Sequence, residues 1–153
     1  MKKLSLTATT LIVIMNANVV LAADKTMHHD NQHHDMSLMD TRTSLELSPK
    51  MKQHQLSNMR GHVEAIKNIV GLMAENKFEE AGKTAHEKLG LTPEMQEMCN
   101  MFDNEKFKAL GFAFHKSGDD LGDALQTKDV NTSLRALNKT MQFCVECHAT
   151  YRQ

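Results

Sequence analysis

The run Cys144-Val145-Glu146-Cys147-His148 stands five residues from the end of this 153-residue chain, and no other feature constrains the fold as tightly. Cys144 and Cys147 are i, i+3 neighbours and His148 is i+4 from Cys144, so on a helix all three share one face. The C-x-x-C-H spacing is the attachment signature of c-type haem. The two thiols add to the vinyl groups as thioethers, and the adjacent imidazole takes one axial position on the iron. The last segment must then be a helix that faces a pocket for a flat apolar body. A bare C-x-x-C also occurs in redox dithiols and zinc sites. No βαβ pattern accompanies it here, and the third thiol, Cys99, lies far away in sequence.

The opening of the chain points the same way. Lys2 and Lys3 precede an apolar stretch, Leu4 to Ala23, that ends in Val20-Leu21-Ala22-Ala23 with small residues for cleavage after Ala22 or Ala23. This reads as a secretory signal peptide over residues 1–23. Asn16 and Asn18 interrupt the run, and it is short for a membrane anchor, which needs about 20 apolar residues. No other segment is apolar enough to span a bilayer. A periplasmic location follows as an expectation, and it suits covalent haem attachment, which in bacteria takes place outside the cytoplasm.

Removal of residues 1–23 leaves 130 residues, room for one domain. Two of the 18 basic residues and none of the 19 acidic ones lie in that segment, so the remainder carries 16 against 19, a net −3. Such a balance gives no electrostatic footprint for nucleic acid. Residues 24–47 read as a flexible tail with little to bury. Within it His28, His29, His33 and His34, with Met27 and Met36, offer imidazoles and thioethers of the kind that bind copper, or else a solvated linker.

From residue 48 to 153 the apolar residues recur at helical spacing. Ser48-Pro49 is an N-cap followed by a first-turn proline, and Leu56, Met59, Val63, Ile66, Val70 and Met73 form a stripe to about Glu75. Asn76-Lys77 marks a turn. Phe78 to Leu89 is a shorter helix closed by Gly90. Thr92-Pro93 opens a short piece through about Met101. Asp103 or Asn104 caps a long helix with Phe107, Leu110, Phe114, Leu121 and Leu125 on one side. After a turn at Lys128-Asp129, Leu134, Leu137, Met141, Cys144 and His148 line the last helix, which runs to the C-terminus. No period-two alternation stands out. The pattern predicts an all-α domain, an antiparallel four-helix bundle in which covalently bound haem c forms part of the core. Cys99 is expected to be a buried thiol.

With that motif near the end of its last helix, the chain resembles the class II c-type cytochromes, the cytochrome c prime family. The likeness is clearest over Phe107–Gln153, including the aromatic-Arg ending Tyr151-Arg152, and looser over Ser48–Glu75. The resemblance implies thioethers at Cys144 and Cys147, His148 as proximal ligand and Arg152 as a proximal-side arginine near the haem. The other reading of Arg152 is a solvated side chain at the helix C-terminus. It also implies redox partner proteins and allows a helix-packed homodimer.

The sixth position of the iron decides between functions. By the resemblance the first helix supplies it, and Leu56, Met59 and His62 lie in the relevant stretch. Met59 on the core stripe is the candidate distal ligand, and His62, four residues before Ile66, is the alternative. A methionine on a stripe is also ordinary core filler. Ligation by His148 and Met59 suits electron transfer; an apolar distal face leaves a five-coordinate iron that binds nitric oxide or carbon monoxide. A copper-handling role through the tail is a third reading. His54, His86 and His115 read as surface residues, and Glu79-Glu80 and Asp119-Asp120 as solvated faces that also offer steering of a basic partner. No nucleophile–base pair or carboxylate pair suggests an enzyme.

Overall fold

The computed structural model describes residues 40–153. The expected signal peptide and the tail up to residue 39, with His28, His29, His33 and His34, lie outside the described residues. The elements in order are β1 (Thr43–Ser44), α1 (Pro49–Ala74), α2 (Phe78–Lys88), α3 (Pro93–Asn100), α4 (Glu105–Gln126), α5 (Val130–Thr150) and β2 (Tyr151–Arg152). The class is all-α, as the pattern predicts.

All the helices but α2 begin where a side chain takes over an orphan N–H. Ser48 Oγ accepts from Met51 N at 3.3 Å and Thr92 Oγ1 from Met95 N at 3.2 Å, with Pro49 and Pro93 at the first helical position. Asn104 Oδ1 accepts from Phe107 N at 3.0 Å, and Asp129 Oδ1 from Thr132 N at 2.7 Å. The turns predicted at Asn76 and Lys128 are there, and both residues adopt the left-handed region with φ of 59° and 58°. Gly90 does not close α2 through a left-handed conformation, because no glycine among the described residues has positive φ. It is needed for space: a Cβ there would strike Asp119 Oδ1 and the carbonyl of His86.

Packing follows chain order. α1 lies on α2, α2 on α4 and α4 on α5, with the short α3 against α4, while α1 and α5 make no extended contact. The α2–α4 seam is antiparallel, since Gly82 meets Gly122 and Gln126 whereas Leu89 meets Gly118. A Cβ on Gly118 would meet the Leu89 backbone, so this seam depends on residues without side chains. Ile69, Leu89, Leu121 and Leu125 are fully buried at the centre, with Phe114 and Leu137 beside them; each such side chain contributes about 1.5–3 kcal/mol by leaving water. A second cluster closes the other end. Phe107 packs edge-to-face on Phe102 at 4.8 Å and on Tyr151 at 5.2 Å, with Leu45, Leu47, Met51 and Cys147 around them.

Several sequence expectations are corrected. The last part of the tail expected over residues 24–47 is built into the fold: Thr43 and Ser44 pair in parallel with Tyr151 and Arg152, and Leu45 and Leu47 join the aromatic cluster. For the same reason the last helix stops at Thr150 and does not reach the end of the chain. On α1 the stripe is rotated. Val63 and Val70 are exposed, and Ala65, Ile69 and Met73 are buried. On α5, Leu134 and Met141 are exposed, and Ser133, Leu137 and Thr140 are buried. His115 is buried, with Nδ1 2.9 Å from the carbonyl of Leu89. Asp119 is not simply a solvated charge. It accepts from Leu91 N at 3.0 Å and lies 3.1 Å from His86 Nδ1, tying the end of α2 to α4.

Candidate functional site

The space left between α1 and α5 opens into a cavity of about 440 Å³, within the range of cofactor sites. α5 presents Cys144, Cys147 and His148 to it, α1 presents Met59 and His62, and α4 presents Phe114 and His115. All the residues of the C-x-x-C-H run that carry chemistry therefore meet both candidate distal ligands around one space. Leu56, Ile66, Leu110 and Phe143 make the walls largely apolar.

Neither Cys144 nor Cys147 is in a disulfide, and both are half-buried. Burial raises the Cys144 thiol. Burial, then the neighbouring Cys144 and Glu146, pushes the Cys147 thiol up to about 11. A redox dithiol needs a depressed pKa, so this pair is badly tuned for exchange chemistry. Among the described residues no three His, Cys, Asp or Glu side chains come together as a metal site. Cys99 is buried as expected, and burial raises its thiol too; it sits on the cavity wall beside Gly111.

His62 packs against Phe114 at 4.8 Å and His115 at 5.5 Å between ring centroids. Burial first, and then the nearby His115, lower its pKa from 6.5 to about 4, so the ring is neutral near pH 7 and its nitrogens keep a lone pair for a metal. Burial also lowers His115, but its Nδ1 is engaged by the Leu89 carbonyl. Met59 is nearer the level of the C-x-x-C-H run. Met51 and Cys147 pack on one aromatic cluster, and α1 and α5 diverge in chain direction from there. At 1.5 Å per residue, Met59 stands about 12 Å up α1 from Met51 and His62 about 4.5 Å deeper.

The charged groups on the cavity wall are Arg60 of α1 and Lys108 of α4, and no carboxylate lines it. Lys108 is also 2.7 Å from Glu105. A pocket with an apolar body, two cations at its wall and no anion suits a flat apolar molecule bearing carboxylates. Haem has that make-up, and Cys144, Cys147 and His148 are the donors it needs. The sequence reading missed Arg60 and Lys108, although each directly follows a residue of an apolar stripe, Met59 and Phe107. Arg152, by contrast, does not line the cavity. The argument for it assumed one more helical turn, and the chain has already left the helix: Arg152 is exposed and pairs with Ser44.

None of the described helices is long and apolar enough to cross a membrane. Comparison with protein-family models, characterised proteins and solved structures returns no match for the chain.

Proposed function

We propose that this protein is a periplasmic c-type cytochrome of the class II kind: an antiparallel four-helix bundle that carries one haem c and passes electrons to partner proteins. The observation that carries the reading is the meeting of Cys144, Cys147 and His148 with Met59 around one apolar, cation-walled cavity. Cys144 and Cys147 would hold the macrocycle by thioethers, with His148 and Met59 as the protein's donors to the iron. Bound haem supplies a one-electron iron couple. The chain's own residues would exclude water from it with Leu56, Ile66 and Phe114, offer Arg60 and Lys108 to its carboxylates, and hold His148 and Met59 so that little has to move when an electron arrives.

The test is the visible spectrum of the ferrous protein, with and without carbon monoxide. A sharp low-spin spectrum unchanged by carbon monoxide is expected, and Met59→Ala should make it high-spin and carbon-monoxide-sensitive. A wild-type spectrum that is already broad and shifts with carbon monoxide rejects the electron-carrier reading in favour of a five-coordinate gas-binding cytochrome. His62 supports a second ligand assignment, because its ring is neutral and buried at the cavity. Under that assignment Met59→Ala leaves the spectrum unchanged and His62→Ala alters it.

A further inference from the structure

We propose that Arg42, held in place by Asp40, is the positioning residue for His148: it fixes the peptide that carries the imidazole and sets the charge beside that ligand. The inference rests on the haem reading above.

The last carbonyls of a helix have no partner within it. In α5 the carbonyl of Cys147 takes the Tyr151 N–H, and the carbonyl of His148 takes Arg42 Nη1 at 3.2 Å across 106 residues of sequence. Two further donors of the guanidinium are engaged by Asp40. Nε donates to Asp40 Oδ1 at 2.9 Å and Nη2 to Oδ2 at 2.7 Å, a two-point fork that fixes the plane of the group. Asp40 Oδ1 also accepts from the Arg42 main-chain N–H at 3.1 Å. Hydrogen bonding to Arg42 holds the Asp40 carboxyl down at about 2, so the pair is ionised throughout the neutral range. The arm then continues along the same chain end. Thr43 and Ser44 pair with Tyr151 and Arg152, and Leu45 N donates to Arg152 O at 3.0 Å. Main chain is thus gripped from His148 onward, immediately after the two cysteines.

A cation beside the iron favours the ferrous form and an anion the ferric form. The Arg42–Asp40 pair is neutral as a unit, with the Arg152 cation also acting on Asp40, so removing one partner or the other shifts the net charge near the His148 carbonyl in opposite directions. The experiment measures the midpoint potential of the haem-loaded full chain and of Arg42→Gln, Arg42→Lys and Asp40→Asn, with helical content followed by circular dichroism. Arg42→Gln should lower the potential, Asp40→Asn should raise it, and Arg42→Lys should restore most of the wild-type value. Shifts of the same sign in Arg42→Gln and Asp40→Asn, or no shift in either, overturn the inference, because an arm that acts only as scaffold loosens equally whichever partner is lost. If Arg42→Gln does not fold, Asp40→Asn decides alone, and an unraised potential overturns the inference. A colourless wild-type protein from cells competent in haem attachment overturns the cytochrome reading itself, an outcome separate from a coloured protein with unmoved potentials.

Discussion

His62→Leu should flatten the acid side of the stability curve, and the size of the effect follows from the environment of the ring. His62 has exchanged water for Phe114 and His115, and its pKa falls from 6.5 to about 4, through burial first and His115 second. Above pH 6.5 the ring is neutral in both the folded and the unfolded chain and contributes no pH dependence. As the pH drops below 6.5 the unfolded chain takes up a proton that the folded chain refuses, so stability falls by about 1.4 kcal/mol per pH unit. The loss levels off near pH 4, where the folded ring protonates too, at a total of about 3 kcal/mol. Leucine places an apolar group of similar size against Phe114 and does not titrate. The assay is denaturant unfolding of the haem-loaded protein at pH 7 and pH 4. The variant should lose about 3 kcal/mol less than wild type over that interval. Carboxylates protonate in both proteins and cancel in the difference. A difference below about 1 kcal/mol refutes the argument, because it means that the cavity hydrates the imidazole as bulk water does. If the difference clearly exceeds about 3 kcal/mol and the visible spectrum changes on substitution, His62 is bound to iron, which holds off the proton at still lower pH.

Two further predictions concern the core and the thiols. Leu121 is fully buried on α4, and Leu121→Ala should cost about 3 kcal/mol and roughly 15 °C in Tm. Val130→Ala at a site 49% exposed should change stability by less than about 0.5 kcal/mol, and calorimetry on the pair checks both. In protein made without haem, alkylation of Cys147 should be slow at neutral pH and rise about tenfold per pH unit until the thiol ionises near 11; a plateau below pH 9 would show that the thiol is not desolvated.

What the sequence disclosed was local. The caps at Ser48, Thr92 and Asn104 use side chains within three residues of the N–H they satisfy, and the turns at Asn76 and Lys128 need only a permissive backbone, so both were legible. The C-x-x-C-H run on a C-terminal helix was legible too, as was its convergence with the Met59–His62 stretch. Contacts between distant segments were not. Nothing near Arg42 announces that it will cap a helix 106 residues away, and nothing in Tyr151-Arg152 announces a parallel partner in Thr43-Ser44. Of the two readings of Arg152 the exposed one fits the structure, because the chain leaves the helix at Tyr151 and helical periodicity no longer applies. His115 and Asp119 were misread as surface groups because their partners, the Leu89 carbonyl and the Leu91 N–H, belong to the distant connection between α2 and α3.

The misread stripes on α1 and α5 share one cause. Where these helices touch other helices, the buried residues are often small: Ala65 on α1, Ser133 and Thr140 on α5, and Gly82, Gly118 and Gly122 on the α2–α4 seam. Small residues let backbones approach, and Thr140 uses that closeness to donate to Ser117 O across the α4–α5 seam at 3.0 Å. The larger apolar residues sit about a quarter-turn away. Val63 lines the cavity and Val70 lies two turns beyond it on the same face; Val145, Met141 and Leu134 precede His148 by three, seven and fourteen residues, which puts them on its face. Hydrophobicity therefore marks the sides of α1 and α5 on which the cavity and His148 lie, and residue size marks the sides where helix meets helix. A bundle held only by its own side chains has no reason to separate the two. A bundle that keeps one seam open for a flat apolar guest does, because the guest is best met by large aliphatic groups, and the remaining seams must close more tightly to hold the helices together.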